Sequence, residues 1–227
     1  MDKSRTENLI GKENIACLAT KHITIVGVGG VGGYTATMLV RAGIEKMTII
    51  DFDTITSSNV NRQIIAYQST IGRPKVEVLK ELLLDINNKA DITAINVRLT
   101  QDNVKELLWQ TDLVVDAIDS VPDKIALIVY CKQKNIKIIS AMGAGNRYGI
   151  PKFEVTDIFK THDDGLARVL RKKLREEGIK DLEVVSSNMP VQYKSEKGEV
   201  GSISYYPAMC GCVIAGEIVN KVIRREL

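Results

Sequence analysis

The residues best suited to chemistry are a glycine-rich turn and the acid that follows it. Gly27-Val28-Gly29-Gly30-Val31-Gly32 fits G-x-G-x-x-G, comes directly after a β run over 22–27 and opens a helical stretch over 31–42. Glycines permit the tight turn and let backbone N–H groups reach phosphate, and the helix N-terminus adds partial positive charge. Asp51 ends the next β run, at the spacing of about 20 residues where an acid accepts hydrogen bonds from ribose hydroxyls. The glycine pattern alone also suits a structural turn. Strand, turn, helix and acid in this order point to a nucleotide site.

The loop after Asp51 indicates which nucleotide. It reads Asp51-Phe52-Asp53-Thr54-Ile55-Thr56-Ser57-Ser58-Asn59-Val60-Asn61-Arg62-Gln63 and then Gly72-Arg73-Pro74-Lys75. A dinucleotide pyrophosphate held by the glycine turn has no need of Arg62 and Lys75 here. A triphosphate does, because two fixed cations neutralise the charge developing on a leaving pyrophosphate. Taken singly, each cation is equally an ordinary surface charge. The four cysteines, Cys17, Cys131, Cys210 and Cys212, include no Cys-x-x-Cys pair. That argues against a paired-knuckle zinc site and for buried thiols in a reducing compartment.

The elements that must position these groups show in the apolar periodicity. Further β runs fall at 46–51, 92–97, 112–118 and 136–141, separated by helices starting near 75, 103 and 122. Such alternation predicts a parallel, doubly wound sheet. After Gly149 the pattern changes: a strand over 152–158, a charged helix over 163–177, strands over 182–187 and 201–206 that read as antiparallel, and a closing helix over 208–225. Ile10, Ile15 and Leu18 predict one short amphipathic helix ahead of the core. The fold class is α/β, Rossmann-like, with a mainly parallel sheet and an antiparallel C-terminal extension.

Composition sets the outer limits. In 227 residues, 44% apolar and 26% charged side chains suit one α/β domain with a full core and exclude collagenous, disordered and disulfide-scaffold classes. A net charge of +3 leaves any basic partner surface to a local patch. The start, Met1-Asp2-Lys3-Ser4-Arg5-Thr6-Glu7, is polar and not a secretory signal. The longest apolar runs are strand-sized, against the roughly 20 residues of a membrane helix. The expected location is cytoplasmic, with no membrane contact.

With these motifs in place, the sequence resembles the ubiquitin-activating-enzyme-like, ThiF-type adenylyltransferases. Gly-Val-Gly-Gly-Val-Gly, Asp-Phe-Asp, Ser-Asn-Val-Asn-Arg-Gln, Gly-Arg-Pro-Lys and Asp-Ala-Ile-Asp-Ser follow in that family's order over about residues 5–145. The resemblance implies ATP and Mg²⁺. Gly27, Gly29, Gly30, Gly32, Asp51 and Asp53 would hold the nucleotide, Arg62 and Lys75 the triphosphate, and Asn59 would lie near the reacting phosphate. Asp119 would be the Mg²⁺ ligand, with Asp116 structural. Arg5 matches the N-terminal arginine that reaches into a partner subunit's site, which implies a homodimer. The crossover region, about 160–190, has no Cys, and with Gly143-Ala144-Gly145 it resembles the tRNA threonylcarbamoyladenosine dehydratase subgroup; Gly165 stands where that subgroup usually has Pro. This implies ATP-dependent cyclisation of a threonylcarbamoyl group on tRNA. The implied organisation is one domain over 1–227: a helical segment at 1–21, an ATP-binding core at 22–149 and a substrate- and tRNA-facing portion at 150–227. The rivals are adenylation of a ubiquitin-like or sulfur carrier, and a non-catalytic nucleotide-binding module serving a sulfur-relay protein; a dehydrogenase comes last.

One basic helix concerns RNA. Leu166, Val169, Leu170 and Leu174 read as an apolar stripe, with Arg168, Arg171, Lys172 and Arg175 mostly off it. The plain alternative is a solvated face, but cations in the middle turns also suit backbone phosphates, and the resemblance favours tRNA. If not this helix, the RNA surface falls to Lys194, Lys197, Lys221, Arg224 and Arg225. His162 is assigned no catalytic role.

Overall fold

The computed structural model of the protein describes residues 1–193 and 200–227. β1 (His22–Val26) is buried along its whole length, as a strand covered on both faces must be. It pairs in parallel with β2 (Lys46–Ile50) and β4 (Leu113–Asp116). β3 (Asp91–Ile95) adds in parallel outside β2, and β5 (Lys137–Ala141) outside β4. β7 (Glu183–Ser187) continues in parallel with β5, and β6 (Phe153–Asp157) closes the edge antiparallel to β7. The order β3-β2-β1-β4-β5-β7-β6 reverses direction between β1 and β4. Their carboxyl ends therefore open a crevice, the usual ligand position in such sheets.

The period of two along each strand divides the core. Ile23, Ile25, Met47, Ile49, Val115 and Ile139 face a layer made by α2 (Lys12–Thr20), α3 (Gly32–Ala42), α4 (Lys75–Ile86) and α8 (Tyr205–Ile223). Val26, Ile50, Val114, Ile138 and Val184 face α5 (Val104–Leu107), α6 (Val121–Gln133) and α7 (Gly165–Glu176).

The structure corrects the sequence reading at four places. The N-terminal segment is two helices, α1 (Ser4–Ile10) and α2, because Gly11 between them adopts φ 84°. The strand expected over 182–187 joins β5 in parallel and only β6 in the antiparallel sense. No strand forms over 201–206. Ser202-Ile203-Ser204-Tyr205 alternates like one, but Pro207, with no N–H and a preset φ, suits the first turn of a helix, and α8 begins at Tyr205. The Tyr206 ring then packs edge-on to Phe153, 5.2 Å between centroids, and its hydroxyl lies 2.8 Å from Ser187 Oγ. Val169 leaves the apolar stripe of α7 and is 42% exposed, while Leu170 and Leu174 are fully buried.

α8 is also the one helix among the described residues long and apolar enough to cross a membrane, longer than the strand-sized runs the sequence suggested. Here it is a core helix: Tyr206, Cys210, Ile214, Ile218 and Val222 are fully buried. It crosses α3 at Gly211, where an added Cβ would stand 2.5 Å from the Val31 carbonyl oxygen and 3.0 Å from Tyr34 Cβ. Thr35 Oγ1 donates to the Gly211 carbonyl at 3.2 Å. Gly216 on the same helix meets nothing within 4 Å. Gly211→Ala should therefore destabilise the protein by roughly 1–3 kcal/mol through overpacking. Gly216→Ala should stabilise it by up to about 1 kcal/mol through helix propensity. Urea unfolding midpoints of the two variants against the parent check this; equal shifts would contradict the packing described.

Candidate active site

A cavity of about 680 Å³ opens at the carboxyl ends of β1, β2, β4 and β5. Its floor is the glycine turn. Gly27 has φ 85°, and a Cβ there would lie 2.6 Å from the Ala117 carbonyl oxygen. A Cβ on Gly32 would lie 1.9 Å from the Gly27 carbonyl oxygen. These two glycines press the turn against the end of β4. Gly29, Gly30 and Val31 line the cavity, whereas Gly32 sits behind it. The turn residues just ahead of α3 thus stand on the cavity wall at the N-terminal end of that helix, an arrangement that favours anions.

Asp51, at the end of β2, lines the same wall. Its carboxylate accepts from the Val28 amide at 2.7 Å and the Asp53 amide at 2.9 Å, tying the glycine turn to β2. Burial raises its pKa, opposed by those two hydrogen bonds. A carboxylate has acceptor sites beyond these two, so it can still take a ribose hydroxyl. Lys75, almost fully buried at the start of α4, ion-pairs with Asp53 at 2.7 Å. Asp53 still lines the cavity, but the structure makes it the counter-ion that fixes Lys75. Arg62 lines the cavity and donates to the Ser58 carbonyl at 2.8 Å and to Asn61 Oδ1 at 3.0 Å.

Asn59 departs from its expected place and does not line the cavity. It is buried, its Oδ1 accepts from the Thr56 amide at 3.1 Å, and its carbonyl accepts from the amides of Arg62 and Gln63. The side-chain oxygen caps its own turn, so Asn59 shapes the turn that presents Arg62.

Asp119 lines the cavity three residues beyond β4, in a loop rather than at the strand end. It is exposed and makes no ion pair among the described residues. Asp116, read as structural, is structural: it is fully buried, 2.9 Å from Lys124 Nζ, and accepts from Ser140 Oγ at 2.7 Å. Lys124 Nζ also donates to the Ile118 carbonyl at 3.1 Å.

The far wall comes from the loop after β5, Gly143, Ala144 and Gly145, and from Leu166, Ser202 and Pro207 of the C-terminal portion. Buried Arg147 holds this loop by donating to the Gly143 carbonyl at 2.6 Å and the Asp163 carbonyl at 2.8 Å. Asp164 accepts from the Gly143 amide at 2.8 Å and caps α7 through the Ala167 amide at 2.9 Å. At the opposite end Arg98 pairs with Asp123 at 2.8 Å and lies over the Phe52 ring.

Sequence reasoning missed Lys124, Arg98, Arg147 and Asp164. For Lys124 a signal existed: it shares the i, i+3, i+4, i+7 stripe with Leu127, Ile128 and Cys131, all buried. Asp164 shows locally only as the cap of α7; its bond to Gly143, and those of Arg98 to Asp123 and of Arg147 to Asp163 and Met189, join segments distant in sequence.

Other expected site residues lie outside the cavity. Arg5 is exposed on α1. On α7, Arg168 and Lys172 are exposed, but Arg171 donates to Thr161 through both its carbonyl and hydroxyl oxygens, and Arg175 lies 5.1 Å from the Phe159 ring centroid. Of the alternative RNA residues, Lys221 pairs with Glu183 at 3.0 Å and Arg225 with Glu13 at 2.6 Å. Lys194 and Lys197 lie outside the described residues. Burial pushes the Cys131 and Cys210 thiols up to about 12, so both stay protonated at neutral pH. No group of three or more His, Cys, Asp or Glu among the described residues is placed to hold a metal ion.

Comparison with known proteins agrees with this geometry. The sequence profile of the ThiF family matches residues 3–227. The tRNA threonylcarbamoyladenosine dehydratase of Bacillus subtilis (strain 168) is 34% identical over 97% of this chain and 94% of its own length. The enzyme of that name from Escherichia coli (strain K12) is 38% identical over 86% of this chain and 69% of its own. A crystal structure of the E. coli tRNA N6-threonylcarbamoyladenosine dehydratase TcdA in complex with ATP superposes with a TM-score of 0.91 at 32% identity, covering 98% of this chain and 94% of that one.

The buried pair under the Asp119 loop makes a prediction. Lys124→Met leaves Asp116 charged and without its cation, and should cost about 3–5 kcal/mol. Adding Asp116→Asn, which keeps acceptors for Ser140 and removes the stranded charge, should recover most of the loss. Denaturant titration of the single and double variants decides it; strictly additive losses would contradict the pairing.

Proposed function

This chain belongs to the ThiF family, and we propose that it is an ATP-dependent dehydratase of N6-threonylcarbamoyladenosine in tRNA. The observation that carries the reading is one cavity lined by the glycine turn, Arg62, Lys75 and Asp119. The similarity to dehydratases over nearly the whole chain supports it. We take the chain as one nucleotide-binding unit whose residues beyond about 150 face the tRNA.

In this reading the triphosphate lies along Gly29, Gly30 and Val31, and Asp51 accepts from the ribose. Arg62 and Lys75 neutralise the phosphates. The threonyl carboxylate attacks the α-phosphorus, the bond to the β-phosphate oxygen breaks, and pyrophosphate leaves. The acyl-adenylate is then attacked by its own carbamoyl group; the acyl–oxygen bond to AMP breaks, and a ring, AMP and one proton result. The attacking group is already held beside its target at high effective concentration, so no enzyme nucleophile is required. The protonated thiols of Cys131 and Cys210 accord with that. A sulfur-relay protein has no step in this scheme, which forms no carbon–sulfur bond.

The donor set fits Mg²⁺, which is typically held by one or two carboxylates together with substrate phosphates. Asp119, unpaired and on the cavity wall, would be the ligand, and the ion would supply charge neutralisation for the leaving pyrophosphate. Arg5 would act as the arginine given to a partner's cavity in a homodimer, since it does not line its own. A cytoplasmic location suits a tRNA substrate.

AMP and pyrophosphate should form only with tRNA carrying threonylcarbamoyladenosine, and nucleoside mass spectrometry should show the cyclic product. Turnover that instead required a carrier protein would overturn the reading. Asp119→Ala should lower turnover by about 10²-fold or more, by analogy with other charge-stabilising contacts, with the unfolding midpoint unchanged; normal turnover at saturating Mg²⁺ would refute the role.

For tRNA we assign Arg168 and Lys172, the two of the four expected α7 cations whose side chains make no hydrogen bond, ion pair or cation–π contact among the described residues. Reversing both to Glu should weaken tRNA binding and flatten the slope of log K against log salt by roughly two, about one for each lost phosphate contact. ATP affinity should not change. Parental tRNA affinity and salt slope would make α7 a solvated face.

A further inference from the structure

Gln63 follows Arg62 in the loop, yet nothing above gives its side chain a role. It lines the cavity and is only 8% exposed. Its Oε1 is buried and has no hydrogen-bond partner among the described residues. Its Nε2 sits over the glycine turn, 3.5 Å from where a Cβ on Gly29 would be. The backbone is fixed on both sides: the Gln63 amide donates to the Asn59 carbonyl at 3.0 Å, and its carbonyl accepts from the Ala66 amide at 3.0 Å. The fixed backbone thus places the side-chain amide on the cavity wall with its acceptor unused.

A buried acceptor without a donor is costly, and native proteins leave few of them. A triphosphate near neutral pH offers acceptors only. The missing donor is then a neutral O–H or N–H on a bound reactant. We propose that Gln63 is a ligand-contacting residue of the adenylation site, its Oε1 accepting a hydrogen bond from such a group while Nε2 faces the phosphate side. Two reactants carry that chemistry: the ribose hydroxyls of ATP and the ureido N–H groups of the modified adenosine. A neutral amide suits the place, because a carboxylate over the glycine turn would repel the phosphates. The ureido source rests on the dehydratase reading; the ribose source needs only nucleotide binding.

Gln63→Met keeps the side-chain length and removes both polar atoms. Without ligands its unfolding midpoint should equal or exceed the parent's, because an unsatisfied acceptor has gone. Its kcat/KM should fall by about 10-fold, the scale of one neutral hydrogen bond. If the donor is a ribose hydroxyl, the parent binds 2′-deoxy- or 3′-deoxy-ATP more weakly than ATP, and the variant loses that discrimination. If the donor is a ureido N–H, ATP affinity is unchanged and KM for modified tRNA rises. A lowered ligand-free midpoint that accounts for the lost turnover would make Gln63 structural and overturn the proposal. So would ATP affinity, deoxynucleotide discrimination and turnover all within twofold of the parent. Should Gln63→Met not fold, Gln63→Ala, which needs less room, carries the same readouts. A parent that binds ATP but does not act on modified tRNA would remove the dehydratase reading alone; the deoxynucleotide comparison would then decide Gln63, lost discrimination supporting it and unaltered binding overturning it.

Discussion

A lysine ammonium with no access to water sits against the carboxylate that ends β4. Burying Lys124 and Asp116 together costs heavily in desolvation, and the charges persist only because nearly every polar atom finds a partner. The lysine reaches Asp116 Oδ1 and the Ile118 carbonyl, and the carboxylate also takes the Ser140 hydroxyl and the Ile118 amide. One pair thereby joins β4, β5, the first turn of α6 and the loop between. That loop carries both the Ala117 carbonyl, against which Gly27 packs, and Asp119. The shape of the glycine turn and the position of the cavity carboxylate both derive from this buried contact.

The cavity has two walls of different origin. One comes from motifs close together in the chain: the glycine turn, Asp51, Arg62 and Lys75. Asp51 binds the turn to β2, and Asp53 fixes Lys75. The other wall comes from Gly143 to Gly145, Leu166, Ser202 and Pro207, and reaches its place through the reversal of the chain at the sheet edge. Arg147 and Asp164 hold that loop by bonds to backbone atoms, so its form does not depend on an exposed side chain. The wall that carries the glycine turn is therefore local and motif-built. The opposite wall is tertiary.

Charge is distributed with the same economy. Arg171 and Arg175 look like surface cations in the sequence, yet one secures the segment before α7 through Thr161 and the other covers Phe159. Lys221 serves Glu183, and Arg225 serves Glu13. Cations with an internal partner keep little freedom to follow an RNA backbone. Of the four α7 cations expected to meet RNA, the counterion argument therefore keeps Arg168 and Lys172.

The parallel sheet, its order of helices and the nucleotide motif were legible in the chain because each rests on local rules: apolar runs of strand length, helical spacing, and glycines between a strand and a helix. That Asp51, Arg62, Lys75 and Asp119 share one cavity was legible for the same reason, since motif order places them near the carboxyl ends of the strands. Asn59 stands outside the cavity lining because its side-chain oxygen caps its own turn, a local use that the motif alone does not reveal. The stretch over 201–206 misled because alternation is a weak signal beside a proline three residues into a helix. Spacing could mark Lys124 as a buried position of α6 and Asp164 as a helix cap, but not name Asp116 or Gly143 as their partners, because those groups lie on other elements. Which polar side chains become buried, and with whom, is a property of packed surfaces; the sequence supplies the groups, and only their juxtaposition in the fold sets their partners.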